Sequence, residues 1–138
     1  MIRGFACGVF DLYHPGHVFM LRDCKAQCDH LTVAINTAEK FDYSVNPGKR
    51  APVFTPEERK LVMESIEYVD SVIFYESEDD LTKIMKNGNF DVRFLGDDYR
   101  GKKITAPEAI TNIHYIDRSH GYSTTAIFER ITERLDKN

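Results

Sequence analysis

The sequence predicts an α/β fold built on a doubly wound, five-stranded parallel sheet, with residues 1–138 forming a single domain. A length of 138 residues suits one core, and 42% hydrophobic with 29% charged residues excludes a disordered tail or a fibre. Short apolar runs alternate with segments of helical periodicity. This alternation is typical of a parallel sheet with helices on both faces.

Five apolar runs predict strands at residues 2–7, 31–35, 72–75, 92–95 and 113–116. Helical spacing predicts helices over 18–28 and 81–86. A capping box predicts a third helix, because Thr55 precedes Pro56 and is followed three residues later by Glu58. Ser123 opens the last helix. The apolar faces expected for these two helices are Leu61, Val62, Ile66 and Val69 in the first, and Ile127, Phe128, Ile131 and Leu135 in the second.

The net charge and the lengths of the apolar runs predict the location of the protein in the cell. Eighteen basic and 22 acidic side chains give a net charge of −4, so no overall field draws nucleic acid or an anionic membrane. No apolar run approaches the roughly 18 residues that span a bilayer, and the first residues lack the pattern of a signal peptide. We expect a cytoplasmic protein. Cys7, Cys24 and Cys28 are predicted to be buried thiols.

Parallel sheets bind ligands beyond the carboxyl ends of their strands, which here selects loops 8–17, 36–55, 96–106 and 117–124. In the first loop, His14 and His17 flank Pro15-Gly16, a pair that permits a sharp turn into a helix. Ring donors beside free backbone amides predict a phosphate cradle. One alternative is that His14 and His17 only satisfy the turn. Another is a metal triad of Asp11, His14 and His17, for which the sequence offers no obvious fourth ligand.

Two motifs carry a resemblance to a known family. The segment Gly8-Val-Phe-Asp-Leu-Tyr-His-Pro-Gly-His17 resembles the first signature of the cytidylyltransferase branch of the nucleotidyltransferase superfamily. Arg118-Ser-His-Gly-Tyr-Ser-Thr-Thr125 is similar to the second signature, and Gly96-Asp-Asp-Tyr99 also fits. In length the chain resembles the small bacterial members that act on glycerol 3-phosphate.

The resemblance implies a Rossmann-like homodimer that transfers a cytidylyl group from CTP, bound with Mg²⁺, to a small phosphorylated acceptor, with release of pyrophosphate. It assigns catalytic roles to His14, His17, Lys49 and Arg118. It assigns nucleotide contacts to Gly8, Val9, Phe10, Asp11, Gly16, Asp98, Ser123, Thr124 and Thr125. No protein side chain is expected to ligate the metal directly.

The acceptor is the open part of this prediction. Val9 replaces a threonine of the glycerol 3-phosphate enzymes, and Glu67 stands where they carry an arginine. Glu67 and Arg50 are therefore the candidate residues for acceptor specificity. Glycerol 3-phosphate is the leading acceptor, followed by phosphoethanolamine, phosphocholine, another polyol phosphate or a phosphonate. The alternatives to a cytidylyltransferase are an adenylyltransferase and a nucleotide-binding regulator without turnover.

Overall fold

The computed structural model of the chain describes residues 1–37 and 51–137. Strands and helices alternate in these residues, with a short 3₁₀ turn at Asp97–Tyr99 after the fourth strand. In chain order, the elements are β1 (Arg3–Gly8), α1 (Pro15–Ala26), β2 (His30–Asn36), α2 (Pro56–Glu64), β3 (Ser71–Tyr75), α3 (Glu78–Asn87), β4 (Val92–Gly96), β5 (Ile113–Ile116) and α4 (Thr124–Asp136).

The five strands form one parallel sheet in the order β3-β2-β1-β4-β5. The chain builds outward from β1 through β2 to β3, then crosses back to place β4 on the other side of β1. The strand order therefore reverses between β1 and β4, and the loops leaving these two strands meet at the switch point. This topology confirms the predicted α/β, Rossmann-like single domain.

The sheet separates two apolar clusters. On one face, Leu21 and Cys24 of α1 and Met63 of α2 pack against side chains of the central strands. On the other face, Leu81 and Met85 of α3 pack in a second cluster. Residues 31–35 of β2 are all buried, as expected of a central strand covered on both sides.

The predicted apolar faces of two helices need correction. Helix α2 ends at Glu64, so Ile66 and Val69 lie in the turns that follow it, where they still pack against the core. Leu61 lies on the helix but is 70% exposed. Helix α4 buries none of its residues completely, and its Ile131 and Leu135 are exposed. Helical spacing alone could not show which apolar positions find a partner within the chain.

Two helices begin earlier than their apolar spacing predicts, because each starts at a capping residue. His14 caps α1 through its ring, and Ser77 caps α3 by accepting a hydrogen bond from the amide of Asp80. The prediction of three buried thiols holds for Cys24, whereas Cys7 and Cys28 are partly exposed. In the described part of the chain, no helix has the length and apolar character needed to cross a bilayer.

Candidate active site

A cleft of about 470 Å³ opens at the carboxyl ends of the strands, at the switch point between β1 and β4. Its walls come from the loop after β1, the ends of β2 and β3, and the start of α3. Strand β4, residues 103–105 and the segment before α4 complete them. Among the residues predicted for the site, the lining includes Gly8, Val9, Phe10, His14, Gly16, His17, Arg118, Ser123 and Thr124.

The two histidines of the first signature form the cap of helix α1. The Nδ1 atom of His14 accepts a hydrogen bond from the amide of Gly16 at 3.1 Å, and Nδ1 of His17 accepts one from the amide of His14 at 3.3 Å. The two rings stack with their centroids 3.9 Å apart. Because both Nδ1 atoms are acceptors, each neutral ring carries its proton on Nε2 and can donate it to a ligand.

Gly16 is required for this arrangement. A Cβ atom at that position would lie 2.8 Å from Cε1 of His14 and 3.0 Å from Cβ of Tyr122. Just before the histidines, Phe10 and Leu12 adopt positive φ angles of 54° and 49°, which are uncommon for residues with side chains. The loop thus holds unfavourable backbone conformations beside the histidines, as loops at functional sites often do.

The capping interactions correct one part of the predicted phosphate cradle. Pro15 has no amide hydrogen, the amide of Gly16 is bound to His14, and the amide of His17 donates to the His14 carbonyl at 2.9 Å. The start of α1 therefore offers ring Nε2 donors rather than free backbone amides.

Helix α4 supplies the free amides instead. The Ser123 hydroxyl accepts a hydrogen bond from the amide of Ala126 at 3.0 Å and so caps the helix. No described residue accepts from the amides of Thr124 and Thr125. These amides lie at the positive end of the helix dipole, where an anion is favoured. Thr124 lines the cleft, and Thr125 is absent from its lining.

A cation lies close to this helix start. Arg118 lines the cleft with its side chain about half exposed, and its Nη1 atom lies 3.7 Å from Oδ2 of Asp98. The pair joins the loop after β4 to the segment before α4. Arg118 keeps other guanidinium donors available for a phosphate.

Both active-site histidines are neutral near pH 7. Burial, together with the charges of His120 and Arg118, lowers the pKa of His14 below its usual value. Burial lowers the pKa of His17 to about 3, with smaller contributions from His14 and Arg118. The site therefore presents neutral donors until a phosphate arrives.

We expect NMR to find the His17 ring neutral, with its proton on Nε2, at pH 5. The unfolded chain binds a proton at His17 near pH 6.5, whereas the folded chain binds it only near pH 3. Between these values the unfolded state holds more protons, so the free energy of unfolding decreases as the pH falls. Denaturant titrations should show a smaller decrease in His17→Gln than in the parent. A ring protonated at pH 5 would contradict this.

Asp11 does not face the cleft, contrary to its predicted role in nucleotide binding. Its side chain is buried, and its two carboxylate oxygens accept hydrogen bonds from the amides of Val53 (2.7 Å) and Phe54 (3.0 Å). The residue anchors the segment before α2 to the first loop. Since its oxygens are occupied in this way, Asp11 does not join His14 and His17 in a metal triad, and the described residues contain no group of three potential metal ligands.

Two other predicted residues lie elsewhere. Glu67, a candidate for acceptor specificity, is exposed in a turn between α2 and β3 and is absent from the cleft lining. Asp98 reaches the site through its ion pair with Arg118. Lys49 and Arg50 lie outside the described residues.

About one third of the lining consists of residues that the sequence predicts for the site. The missed polar residues include Asn36, Tyr75, Glu78, Arg93, Lys103, Thr105, His120 and Tyr122. One signal was available: Arg93 is the single charged residue in the apolar run that forms β4. A charge within a buried parallel strand is rare unless it serves a site. Asn36 and Tyr75 also end two neighbouring strands, where ligands are expected.

Comparisons with known proteins identify the family of the chain. The cytidylyltransferase-like family profile matches residues 5–130. The chain is 37% identical to the glycerol-3-phosphate cytidylyltransferase of Bacillus subtilis (strain 168), over 90% of this chain and 92% of that protein. It is 33% identical to the bifunctional protein HldE of Helicobacter pylori (strain HPAG1), over 92% of this chain and 27% of that much longer protein.

A solved structure shares the fold. The lipopolysaccharide core biosynthesis protein from Thermoplasma volcanium GSS1 superposes with a TM-score of 0.64 at 25% identity, over 84% of this chain and 96% of that chain. The family profile covers most of the sequence, including both signatures. The chain belongs to the cytidylyltransferase-like family and is a nucleotidyltransferase.

Proposed function

We propose that this protein transfers the cytidylyl group of CTP to a small phosphorylated acceptor, with glycerol 3-phosphate as the leading acceptor, and releases pyrophosphate. The observation that carries the proposal is the placement of both signatures around one cleft, with the His14–His17 pair on one side and Arg118 with the start of α4 on the other. The similarity to glycerol-3-phosphate cytidylyltransferase supports the choice of nucleotide and acceptor.

The chemistry follows from these donors. An oxygen of the acceptor phosphate attacks the α-phosphorus of CTP, and the bond from that phosphorus to the bridging oxygen of the β-phosphate breaks. Negative charge develops on the oxygens around the α-phosphorus and on the departing pyrophosphate. Nε2–H of His14 and His17 would stabilise the first, and Arg118 with the amide of Thr124 would stabilise the second.

The proposed Mg²⁺ fits a site on the nucleotide rather than on the protein. Asp11 is bound to two backbone amides and Asp98 is paired with Arg118, so the carboxylates near the phosphate donors are already engaged. We propose that the triphosphate oxygens, rather than protein side chains, would hold the ion, whose charge would offset that of the pyrophosphate.

We expect CTP to bind more tightly than ATP in the presence of Mg²⁺, because the chain carries both signatures of the cytidylyl branch. Isothermal calorimetry on the whole protein measures both affinities. A pyrophosphate-release assay of CTP and ATP against a panel of phosphorylated acceptors then tests turnover. ATP affinity equal to or tighter than that of CTP would contradict the cytidylyl assignment and favour an adenylyltransferase. Tight CTP binding without turnover on any acceptor would favour a regulator.

We also propose a homodimer. Large apolar side chains remain exposed in one chain, among them Leu61 on α2 and Leu135 on α4, each 70% exposed. The resemblance to the small dimeric members of the family supports this proposal, and the exposed apolar side chains offer candidate interface residues. Light scattering after size exclusion should give twice the chain mass of 15.9 kDa.

A further inference from the structure

Part of the cleft is lined by polar residues that neither signature includes. We name it the acceptor pocket, and it consists of Cys7, Asn36, Tyr75, Glu78, Arg93 and Thr105. These residues come from the ends of β1, β2 and β3, the start of α3, the second position of β4 and the segment after the 3₁₀ turn. The pocket lies on the face of the sheet that α3 covers, since Tyr75 and Cys7 pack with the α3 cluster.

Arg93 is the cation of the acceptor pocket. It is 3% exposed, and its Nη1 atom donates to the carbonyl of Thr105 at 2.7 Å. Its Nε atom has no hydrogen-bond partner among the described residues, whose ion pairs do not include Arg93. A buried guanidinium without a carboxylate partner is costly, and a group that accepts its hydrogen bonds reduces the cost.

Glu78 is the anion of the same pocket. It is the first residue of α3, and its Oε2 atom accepts a hydrogen bond from the hydroxyl of Thr105. Thr105 therefore connects the two charges, with its carbonyl on Arg93 and its hydroxyl on Glu78. The ion pairs of the described residues do not include Arg93 and Glu78, so the charged atoms of these two side chains lie more than 4.0 Å apart.

Tyr75 adds an uncharged polar group to the pocket. Its side chain is 7% exposed and interacts with the side chains of Cys7 and Asn36. Burial, followed by interaction with Cys7, raises the pKa of Tyr75, so the hydroxyl stays protonated at all physiological pH values. The pocket thus offers a fixed hydroxyl as well as a donor cation and an acceptor anion.

The geometry of the reaction separates the acceptor from the groups that hold the pyrophosphate. Attack in line requires the nucleophile to approach the α-phosphorus from the side opposite the leaving pyrophosphate. With pyrophosphate at the start of α4 and the α-phosphate at the histidines, we assign the acceptor to the part of the cleft that neither signature lines, which is the acceptor pocket. This step rests on the proposed function.

We propose that Arg93 and Glu78 determine acceptor specificity by binding the hydroxyl groups of a polyol phosphate at the end remote from its phosphate. A hydroxyl accepts from a guanidinium and donates to a carboxylate, so one polyol satisfies both charges. An ammonium group could pair with Glu78, but it would be repelled by Arg93 and would leave the donors of that guanidinium without an acceptor, and a second anionic group would be repelled by Glu78. The pocket therefore disfavours phosphoethanolamine and phosphocholine.

The test compares kcat/KM for glycerol 3-phosphate, propyl phosphate and phosphoethanolamine at saturating CTP. We expect glycerol 3-phosphate to exceed propyl phosphate, which lacks both hydroxyls, by about 10- to 100-fold, the effect of leaving buried polar groups unpaired. Phosphoethanolamine should be at least as poor. Glu78→Gln and Arg93→Lys should each reduce this preference about tenfold or more, without changing KM for CTP.

Two control variants match these changes. Arg3 has a buried Nε without a partner and donates to the carbonyl of Gly88, but it lies at the opposite end of the sheet, so Arg3→Met should keep the preference. Asp79 follows Glu78 on α3 and does not line the cleft, so Asp79→Asn should keep it too. If Arg93→Lys folds poorly, the acceptor preference is measured in Glu78→Gln and Thr105→Val instead.

The outcomes separate this inference from the proposed function. If the protein transfers the cytidylyl group but neither Glu78→Gln nor Arg93→Lys changes the acceptor preference, the inference is wrong and the proposed function is retained. If no acceptor is cytidylylated, the proposed function fails, and calorimetry with glycerol 3-phosphate alone decides the inference. Binding that is lost in Glu78→Gln but kept in Asp79→Asn would support the pocket, and no binding by the parent would refute it.

Discussion

Replacing His14 by Asn is expected to lower kcat by on the order of 10²-fold or more while leaving the thermal stability nearly unchanged. The imidazole has two separable roles, since Nδ1 caps α1 and Nε2 carries the proton that can be donated to a ligand in the cleft. Asn is a good cap and can accept from the Gly16 amide, but it places no donor where Nε2 lies. His17→Gln makes the same separation, because Gln at the third helical position can accept from the capping residue's amide.

Steady-state kinetics at saturating CTP and thermal melts measure these two effects. His14→Ala removes the cap as well, so it should lose about 1 kcal/mol of stability in addition to activity. His30→Asn is the control, because His30 starts β2 at the opposite end of the sheet and contacts Ser71. Near-normal kcat in both His14→Asn and His17→Gln would refute a role of these rings in the transition state.

The second large effect concerns stability. Arg59→Met should lower the free energy of unfolding by about 3 kcal/mol and Tm by about 10 °C. Arg59 is 1% exposed and donates from Nη1 to the carbonyls of Val9 and Asn36, both at 2.8 Å. Its Nε atom donates to the Phe54 carbonyl at 3.1 Å. One guanidinium thus joins three segments, and its loss leaves three carbonyls without this donor.

Arg130→Met provides the matched control. Arg130 is exposed on α4, where a substitution should change stability by no more than about 0.5 kcal/mol. Denaturant unfolding of both variants, at equal protein concentration, gives the comparison. Because Val9 and Asn36 line the cleft, Arg59→Met should also raise KM for at least one substrate. A Tm equal to that of Arg130→Met would show that the buried network contributes nothing.

Most of the fold could be predicted because each strand is a compact apolar run. The strand at Ile113–Ile116 was predicted with its exact bounds, and the other four to within one residue at each end. Helix starts were harder, because the apolar spacing of α1 begins after the cap and His14 is not a usual capping residue. The end of α2 was missed because Ile66 continues the apolar spacing in a turn.

The parts of the candidate site that could be predicted are those whose functional groups lie close together in the sequence. The loop after β1 and the start of α4 each hold their groups within about eight residues, so a motif can show them. The acceptor pocket takes residues from segments as far apart as Cys7 and Thr105, and only the parallel register brings these together. Asp11 shows the reverse error, since a residue inside a motif serves the packing of a neighbouring segment.

The cleft extends across the carboxyl edge of the sheet and touches both apolar clusters, with Phe10 and Phe94 from one and Tyr75 and Leu81 from the other. Two substrates bound there together would contact both apolar clusters, which lie on opposite faces of the sheet. Ligands at 100 times their dissociation constant add about 2.7 kcal/mol to stability by mass action. For a chain of this size, such an increase raises Tm by roughly 10 °C. Melting temperature alone, measured over pairs of nucleotides and phosphorylated compounds, can therefore identify the substrates of this protein before any turnover is observed.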